Sequence, residues 1–374
     1  MNQLVEYLGL FLESSILVST VTFTRKYWWV NIITILILLG NSLTVVTAIN
    51  NAKYQLESGL NHISFFGSTL LISVQIEIAF KQLSYCISRK FFGKLFYWVQ
   101  ELPARKFDDI FGDDPQNIIQ RRRKYSALFF VIYNLDFITT ATIFVFRVIL
   151  GSDPGRIWQK IPFIENDNHP KWVASLHAYC FSVIGVVTPL IDCPLVIIGI
   201  QIMGFLDIIY GAIQHLKKEE FVDQYHKILK NVFELHCEFI QVLNDFNNAT
   251  RFACLFQFIG SMLMFLSTFS LITIYPKDVF MYQNIFCVFM QLAFFCLFGQ
   301  IIEVKTDKIC EELYQTNWYN FTQVDKKNLL LMLKISQRNY CMKAGGMYPI
   351  NIYTLFQIIK LAVTYCTLMV TLLN

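Results

Sequence analysis

The chain has 374 residues, of which 55% are hydrophobic, 16% aromatic and only 16% charged, with a formal net charge of +4. Soluble globular domains carry about a quarter charged residues. This composition excludes an ordinary soluble domain and describes a chain that crosses a membrane repeatedly, with lipid and not nucleic acid as its surroundings.

At the amino end, Glu6 and Glu13 stand where a secretory signal would carry positive charge, and Arg25 and Lys26 follow the apolar stretch. That order is wrong for a signal peptide, so the N-terminus is expected in the cytosol. Apolar runs of about 20 residues predict spans over residues 29–49, 60–80, 125–148, 175–200, 252–275, 281–302 and 351–373. The expected fold is an all-α membrane protein of seven transmembrane helices, one domain over residues 1–374.

Orientation follows the distribution of Lys and Arg. With the N-terminus inside, 24 basic residues fall on inner segments and 5 on outer ones, which leaves the C-terminus extracellular. Splitting the long fourth run at "PLIDCP" (Pro189 to Pro194) would give eight spans with 13 basic residues inside and 16 outside, and the charge bias rejects that alternative. Trp28 and Trp29 open the first span, while Trp98, Trp158, Trp172 and Trp318 lie between spans, as interfacial belts require.

The segment from Gly151 to Trp172, "GSDPGRIWQKIPFIENDNHPKW", is rich in turn formers and either caps an outward-facing cavity or merely joins two helices. Inner connections over about residues 82–124, 201–251 and 303–350 read as helical extensions into the cytosol. In the second of these, Phe221, Tyr225, Ile228, Leu229 and Val232 recur at three and four residues. The sequons at Asn248 and Asn320 fall on inner segments and are expected to stay unmodified. The ten cysteines read as apolar filler or reduced thiols. The histidines read as surface or interfacial groups. No phosphate loop, dinucleotide fingerprint or metal-spaced Cys/His group occurs, so no catalytic residue, metal or cofactor is expected.

Charges inside spans are costly and therefore informative. Glu77 and Arg147 sit near span ends, where snorkelling to the interface explains them about as well as a functional role, and Lys360 lies in the last span. Asp136 and Asp192 lie deep, with no base assigned to either, which leaves a proton-coupled transporter thinly supported. Pro189 and Pro194 around Asp192 suggest a kinked helix bordering a pocket.

The outer halves of four spans supply an apolar, aromatic set suited to a small volatile ligand. Its members are Phe65, Phe66 and Thr69 on the second span, Thr139, Ile143 and Phe146 on the third, and Tyr179, Ser182 and Val186 on the fourth. Tyr282, Phe286 and Phe289 on the sixth span complete it. In the last span Thr364, Thr367 and Thr371 recur beside Leu368 and Leu372. A hydroxyl stripe flanked by leucines suits a pore with a gate that closes by dewetting. Threonines in membrane helices also bond their own backbone, and the sequence alone favours that reading.

The carboxyl third, "CLFGQIIEVKTDKICEELYQTNWYNF", "KKNLLLMLKISQR" and "AGGMYPINIYTLFQIIKLAVTYCTLMVTLLN", with "FELHCEFIQVLNDF" before the fifth span, resembles insect odorant receptors. The resemblance is specific over about residues 230–374 and architectural elsewhere. It implies seven spans with the amino end inside, and an odorant-gated, nonselective cation channel assembled as a heterotetramer from odour-tuning subunits and a common co-receptor. It further implies that the last helix lines a central pore and that the inner ends of helices four to seven form a cytosolic anchor. Matched on "VTY" at Val363 to Tyr365, the gate falls on Leu368 and Leu372, with Thr371 between them and Thr364 on the same helix. The short gap over residues 215–251 resembles a tuning receptor more than the co-receptor. The ending Leu-Leu-Asn departs from gustatory receptors, and a gustatory-type channel or an aspartate-based transporter remains the alternative.

Overall fold

A computed structural model describes residues 2–22, 28–58, 62–105, 107, 115–150, 159–160, 170–218, 224–338 and 340–373. The described residues are almost entirely helical: α1 (Asn2–Ser19), α2 (Trp28–Ser58), α3 (His62–Ile87), α4 (Arg89–Glu101), α5 (Pro115–Leu150) and α6 (Pro170–His215). There follow α7 (Tyr225–Ile274), α8 (Val279–Tyr314), α9 (Gln323–Ser336) and α10 (Ile352–Leu373), with a two-stranded hairpin, β1 (Lys343–Ala344) and β2 (Tyr348–Pro349), before the last helix. Six of these, α2, α3 and α5 to α8, are long and apolar enough to cross a membrane. The 22 residues of α10 are shorter, but at about 1.5 Å per residue they still reach across a hydrocarbon core of about 30 Å.

Every expected span therefore corresponds to a helix, and most helices overrun it. The overruns are amphipathic by design of the sequence: Tyr225, Ile228, Leu229 and Val232 are all buried at the start of α7, while Phe221 lies outside the described residues. The run through Pro189 and Pro194 is one helix of 46 residues, as the charge count demanded. Pro194 has no N–H to offer the Leu190 carbonyl four residues earlier. Ser19 Oγ, at the end of α1, approaches that carbonyl at 3.3 Å. The amino-terminal helix α1 thus packs on α6 beside the acceptor that the proline exposes, although the Ser19 hydroxyl makes its shorter bond, at 2.7 Å, to Ser15 O.

The two ends of the bundle differ. One carries the tight α7–α8 connection, where Asp278 caps α8 by accepting from Phe280 N at 3.2 Å and takes Arg147 Nε of α5 at 2.5 Å. Arg147 is therefore paired and buried and does not snorkel. The other carries α4, α9 and the helix overruns, and is tied by ion pairs across helices. Asp207 accepts from Arg122 and Lys305, Glu238 from Arg105 and Trp98, and Glu312 from Lys217, Gln214 and Tyr210.

A further expectation, that the histidines are surface or interfacial groups, changes. His177 and His236 are buried within the bundle, whereas His226 is exposed and meets Asp325 at 2.7 Å; His169 lies outside the described residues. Most of the Gly151–Trp172 segment, Trp158 included, also lies outside them, but Lys160 docks on α2 through its N–H to Thr47 O at 3.2 Å and its carbonyl to Asn50. All ten cysteines are free, and Cys180, Cys193, Cys254, Cys287, Cys296 and Cys341 are buried, in keeping with apolar filler.

Candidate functional site: a polar network beneath an enclosed cavity

The deepest polar feature joins five helices. On α3, Glu77 and Lys81 stand one turn apart, a spacing that brings the two side chains together, with Lys81 Nζ 2.7 Å from Glu77 Oε1. Lys81 also reaches Asp192 Oδ1 on α6 at 2.7 Å, and donates to Gln257 Oε1 on α7. Asp192 Oδ2 accepts from Tyr133 of α5 at 3.0 Å and from Gln291 of α8 at 2.6 Å. Gln291 also donates to Glu77 Oε1 at 3.2 Å. Asp192 is fully buried and Glu77 and Lys81 nearly so. Charges so placed persist only because each has a partner of opposite sign and hydrogen bonds to neutral groups.

This overturns two readings from the sequence. Asp192 has a base, Lys81, which had been counted on an inner connection because the second span was ended at residue 80. Glu77 is buried, not interfacial. Moving Lys81 into the span leaves the charge bias between inner and outer segments intact. Asp136, by contrast, accepts from Gln283 at 3.0 Å and from the Cys287 thiol, neither of which belongs to the network. Close approach of α7 depends on Gly260, where a Cβ would collide with the Glu77 carboxylate.

Directly against this network lies an enclosed hollow of about 40 Å³. Glu77 and Gln291 form its polar side, and Leu70, Leu71, Val74, Ile184, Met264 and Val288 supply most of its apolar wall. Phe181 closes it toward the α7–α8 connection, stacked on Phe144 at 3.8 Å and set edge-on to Phe280 at 5.4 Å. Phe280 in turn lines an open depression of about 660 Å³ between α5 and the α7–α8 connection. The aromatic trio stands between the two spaces.

The twelve residues expected to line a ligand pocket occupy the expected helices but largely the opposite faces. None lines the enclosed hollow. Ile143 and Phe146 line the open depression. Phe65 and Phe66, with ring centroids 5.9 Å apart, are half-buried along with Thr69 and Ser182. Thr139, Phe146, Tyr179, Val186, Tyr282, Phe286 and Phe289 point outward from the bundle. The cavity residues are mostly their immediate neighbours: Leu70, Thr140, Phe181, Gly185, Cys287 and Val288. One residue turns a helix by about 100°, so the difference is one of helical phase. The signal that would have found the face is the pair of amides Asn284 and Gln291, two helical turns apart in a mainly apolar span that also carries Gln283 and Gln300.

Along α10, Thr364 and Leu368 are exposed on the subunit, as is Thr371. The hydroxyl of Thr364 donates to Lys360 O at 2.8 Å, and those of Thr367 and Thr371 to Thr364 O and Leu368 O at 2.7 Å each. The Leu372 side chain lies outside the described residues. Gly299 lets the start of this helix rest on α8, since a Cβ there would strike the Ile350 carbonyl.

The architecture is that of a multi-pass helical membrane protein with a small interior hollow and no metal-binding cluster among the described residues. A profile of the 7tm Odorant receptor family matches residues 62–363, and the chain belongs to that family. It is 24% identical to Odorant receptor Or2 of Anopheles gambiae over 145 residues, 38% of either chain. With Odorant receptor 33b of Drosophila melanogaster it shares 25% identity over 158 residues, 41% of this chain and 42% of that one. The matched segments thus span about two-fifths of those relatives' lengths. The fold is similar to that of the insect olfactory receptor OR5 from Machilis hrabei, solved in complex with eugenol, with a TM-score of 0.77 at 10% identity over 98% of this chain and 99% of that one. A second structure of the same receptor gives 0.75 at 11% identity, over 98% of each.

Proposed function

We propose that this chain is the odour-tuning subunit of an odorant-gated, nonselective cation channel, working with a common co-receptor in a heterotetramer. Family membership and the OR5 fold support the receptor class. The observation that carries the reading is the enclosed, mainly apolar hollow at the centre of the bundle, with amides on one side and aromatic rings over it. The N-terminus is cytosolic and the α7–α8 connection faces out. Ligand enters through the open depression that Ile143 and Phe146 line, past Phe280 and Phe181. The helix overruns with α4 and α9 serve as the cytosolic anchor.

A hollow of about 40 Å³ is smaller than a volatile of about ten heavy atoms, so binding spreads α3, α5, α6 and α8. That movement reaches α10 through α7 and α8, the helices on which it packs. Its exposed face, with Thr364, Leu368, Thr371 and Leu372, lines the pore, the leucines sealing it when closed. Full opening from about 1% to 99% would require about 5.5 kcal/mol of differential binding, so a single small ligand produces partial opening.

The test is current recorded from oocytes expressing the chain with and without a co-receptor, under a panel of small volatiles. Odour-evoked cation current only in the pair is the expected result. The Glu77–Lys81–Asp192 network gives the transporter alternative the base it lacked in the sequence. Saturable, proton-dependent flux without unitary currents would replace the channel reading with that one.

A further inference from the structure

Resting on the reading that the enclosed hollow takes the ligand, we infer that it selects neutral molecules bearing an O–H donor, alcohols or phenols, and holds that donor on the side-chain oxygen of Gln291.

The argument turns on which way two amides face. An amide side chain has a donor end and an acceptor end, and its partners decide the orientation. Gln291 Nε2 meets Glu77 Oε1 and Asp192 Oδ2, at 3.2 and 2.6 Å. Carboxylate oxygens accept, so the NH2 end must face them; turning the amide over would set its oxygen against both. Oε1 is then the free end. It has no donor among the described residues and is not sealed in protein, and the residue lines the hollow.

Asn284, two turns earlier on the same face of α8, is fixed in the same manner. Its Nδ2 meets Thr268 Oγ1 at 2.9 Å, and the Thr268 hydroxyl spends its own hydrogen on Met264 O at 2.7 Å. The threonine can only accept, so Asn284 donates to it and leaves Oδ1 as a second acceptor on the lining. The other polar atoms there add no free donor. Thr140 gives its hydrogen to Asp136 O at 2.8 Å, and Thr188 gives its hydrogen to Ile184 O at 2.9 Å. The remaining oxygen of Glu77, Oε2, lies against Gly260. Cys287 carries only a weakly donating thiol.

The lining therefore presents two acceptor oxygens against one unassigned donor, the second N–H of Asn284 Nδ2, among walls that are otherwise apolar. An ether, ketone or hydrocarbon leaves those oxygens dry and unpaired, which disfavours it. An alcohol or phenol satisfies one of them while its apolar body fills the rest. Buried polar groups discriminate in this direction far better than an apolar wall discriminates by shape.

The test uses cells expressing the full chain with a co-receptor, and several apolar bodies (hexyl, cyclohexyl, benzyl, terpenoid), each offered as alcohol, methyl ether, aldehyde, amine and hydrocarbon. The expected result is that, for bodies that evoke current, the alcohol acts at a concentration at least about tenfold lower than its ether or aldehyde. Gln291→Leu should erase that advantage, read within the variant as the ratio of half-maximal concentrations for alcohol and hydrocarbon. Because this substitution also removes a donor from Glu77 and Asp192, Asn284→Val is compared beside it, with surface labelling of both, and a reduced alcohol advantage is expected. Ethers or aldehydes as potent as alcohols would overturn the inference and leave the receptor reading standing. Amines outperforming alcohols would overturn the neutral O–H assignment in favour of recognition by negative charge. Silence toward every body, with the pair at the surface, would overturn the receptor reading and the inference with it.

Discussion

The helices α3 and α5 to α8 and the final helix α10 draw on the same apolar and hydroxyl residues, and in both the threonine hydroxyls return to their own backbone, but the bundle also carries amides and charges that join its helices to one another. In the bundle, polar side chains find partners on other helices: Asn284 on Thr268, Gln201 on Ser126, Lys81 on Asp192. In α10 the hydroxyls of Thr364, Thr367 and Thr371 bond only backbone of their own helix. Its apolar side chains fare likewise, with Tyr353 at 70% and Leu368 at 51% exposure, whereas α6 is buried along most of its length. The first region is complete within one subunit. The second presents an exposed face, which under the proposed channel reading is the pore wall shared among subunits.

The sharpest break of this contrast is Lys81→Met, which leaves Glu77 and Asp192 without their cation. Loss of one member of a buried ion pair is worth about 3–5 kcal/mol, so the expected outcome is a large fall in melting temperature and surface expression. The triple change Glu77→Gln, Lys81→Met, Asp192→Asn should recover most of that loss, since no charge is then left unpaired. Gly260→Val comes next: the added carbons collide with Glu77, and overpacking of this kind typically removes about 1–3 kcal/mol, again read by thermal melting.

At the proposed ligand site, Val288→Phe should fill the hollow and raise the half-maximal odorant concentration by about tenfold or more, by analogy with about 1.4 kcal/mol of lost binding. Tyr282→Ala, at an outward-facing position that is 51% exposed, should shift it by less than about twofold. Equal effects from the two would erase the distinction between cavity and surface. The smallest effect on stability is expected from Leu368→Ala, within about 0.5 kcal/mol for an exposed site away from special features. Under the proposed channel reading, the same variant should raise resting current in the assembled channel.

The span pattern and the unbroken fourth span were legible in the sequence because about 20 consecutive apolar residues leave few alternatives. The resemblance of residues 230–374 to odorant receptors was legible as well, and the family match extends well beyond that segment. Helix phase was not. Phe146, Tyr179 and Phe286 looked like pocket residues because aromatic side chains suit a small ligand, but in a membrane the outside of a bundle is apolar too, so hydrophobicity does not mark the inside. Polarity does, and Glu77, Lys81, Asn284 and Gln291 all turned inward. Ending the second span at residue 80 separated Glu77 from Lys81 and hid an ion pair at helical spacing. The hairpin at Lys343–Pro349 had no periodic signal, being two residues per strand.

The most direct measurement is a structure of the assembled receptor with an activating alcohol bound. The ligand should lie among α3, α5, α6 and α8, with its hydroxyl within hydrogen-bonding distance of Gln291 Oε1 and Phe181 over it. Ligand seated instead on the outward face of Tyr179, Tyr282 and Phe286, with the hollow unchanged, would contradict the account.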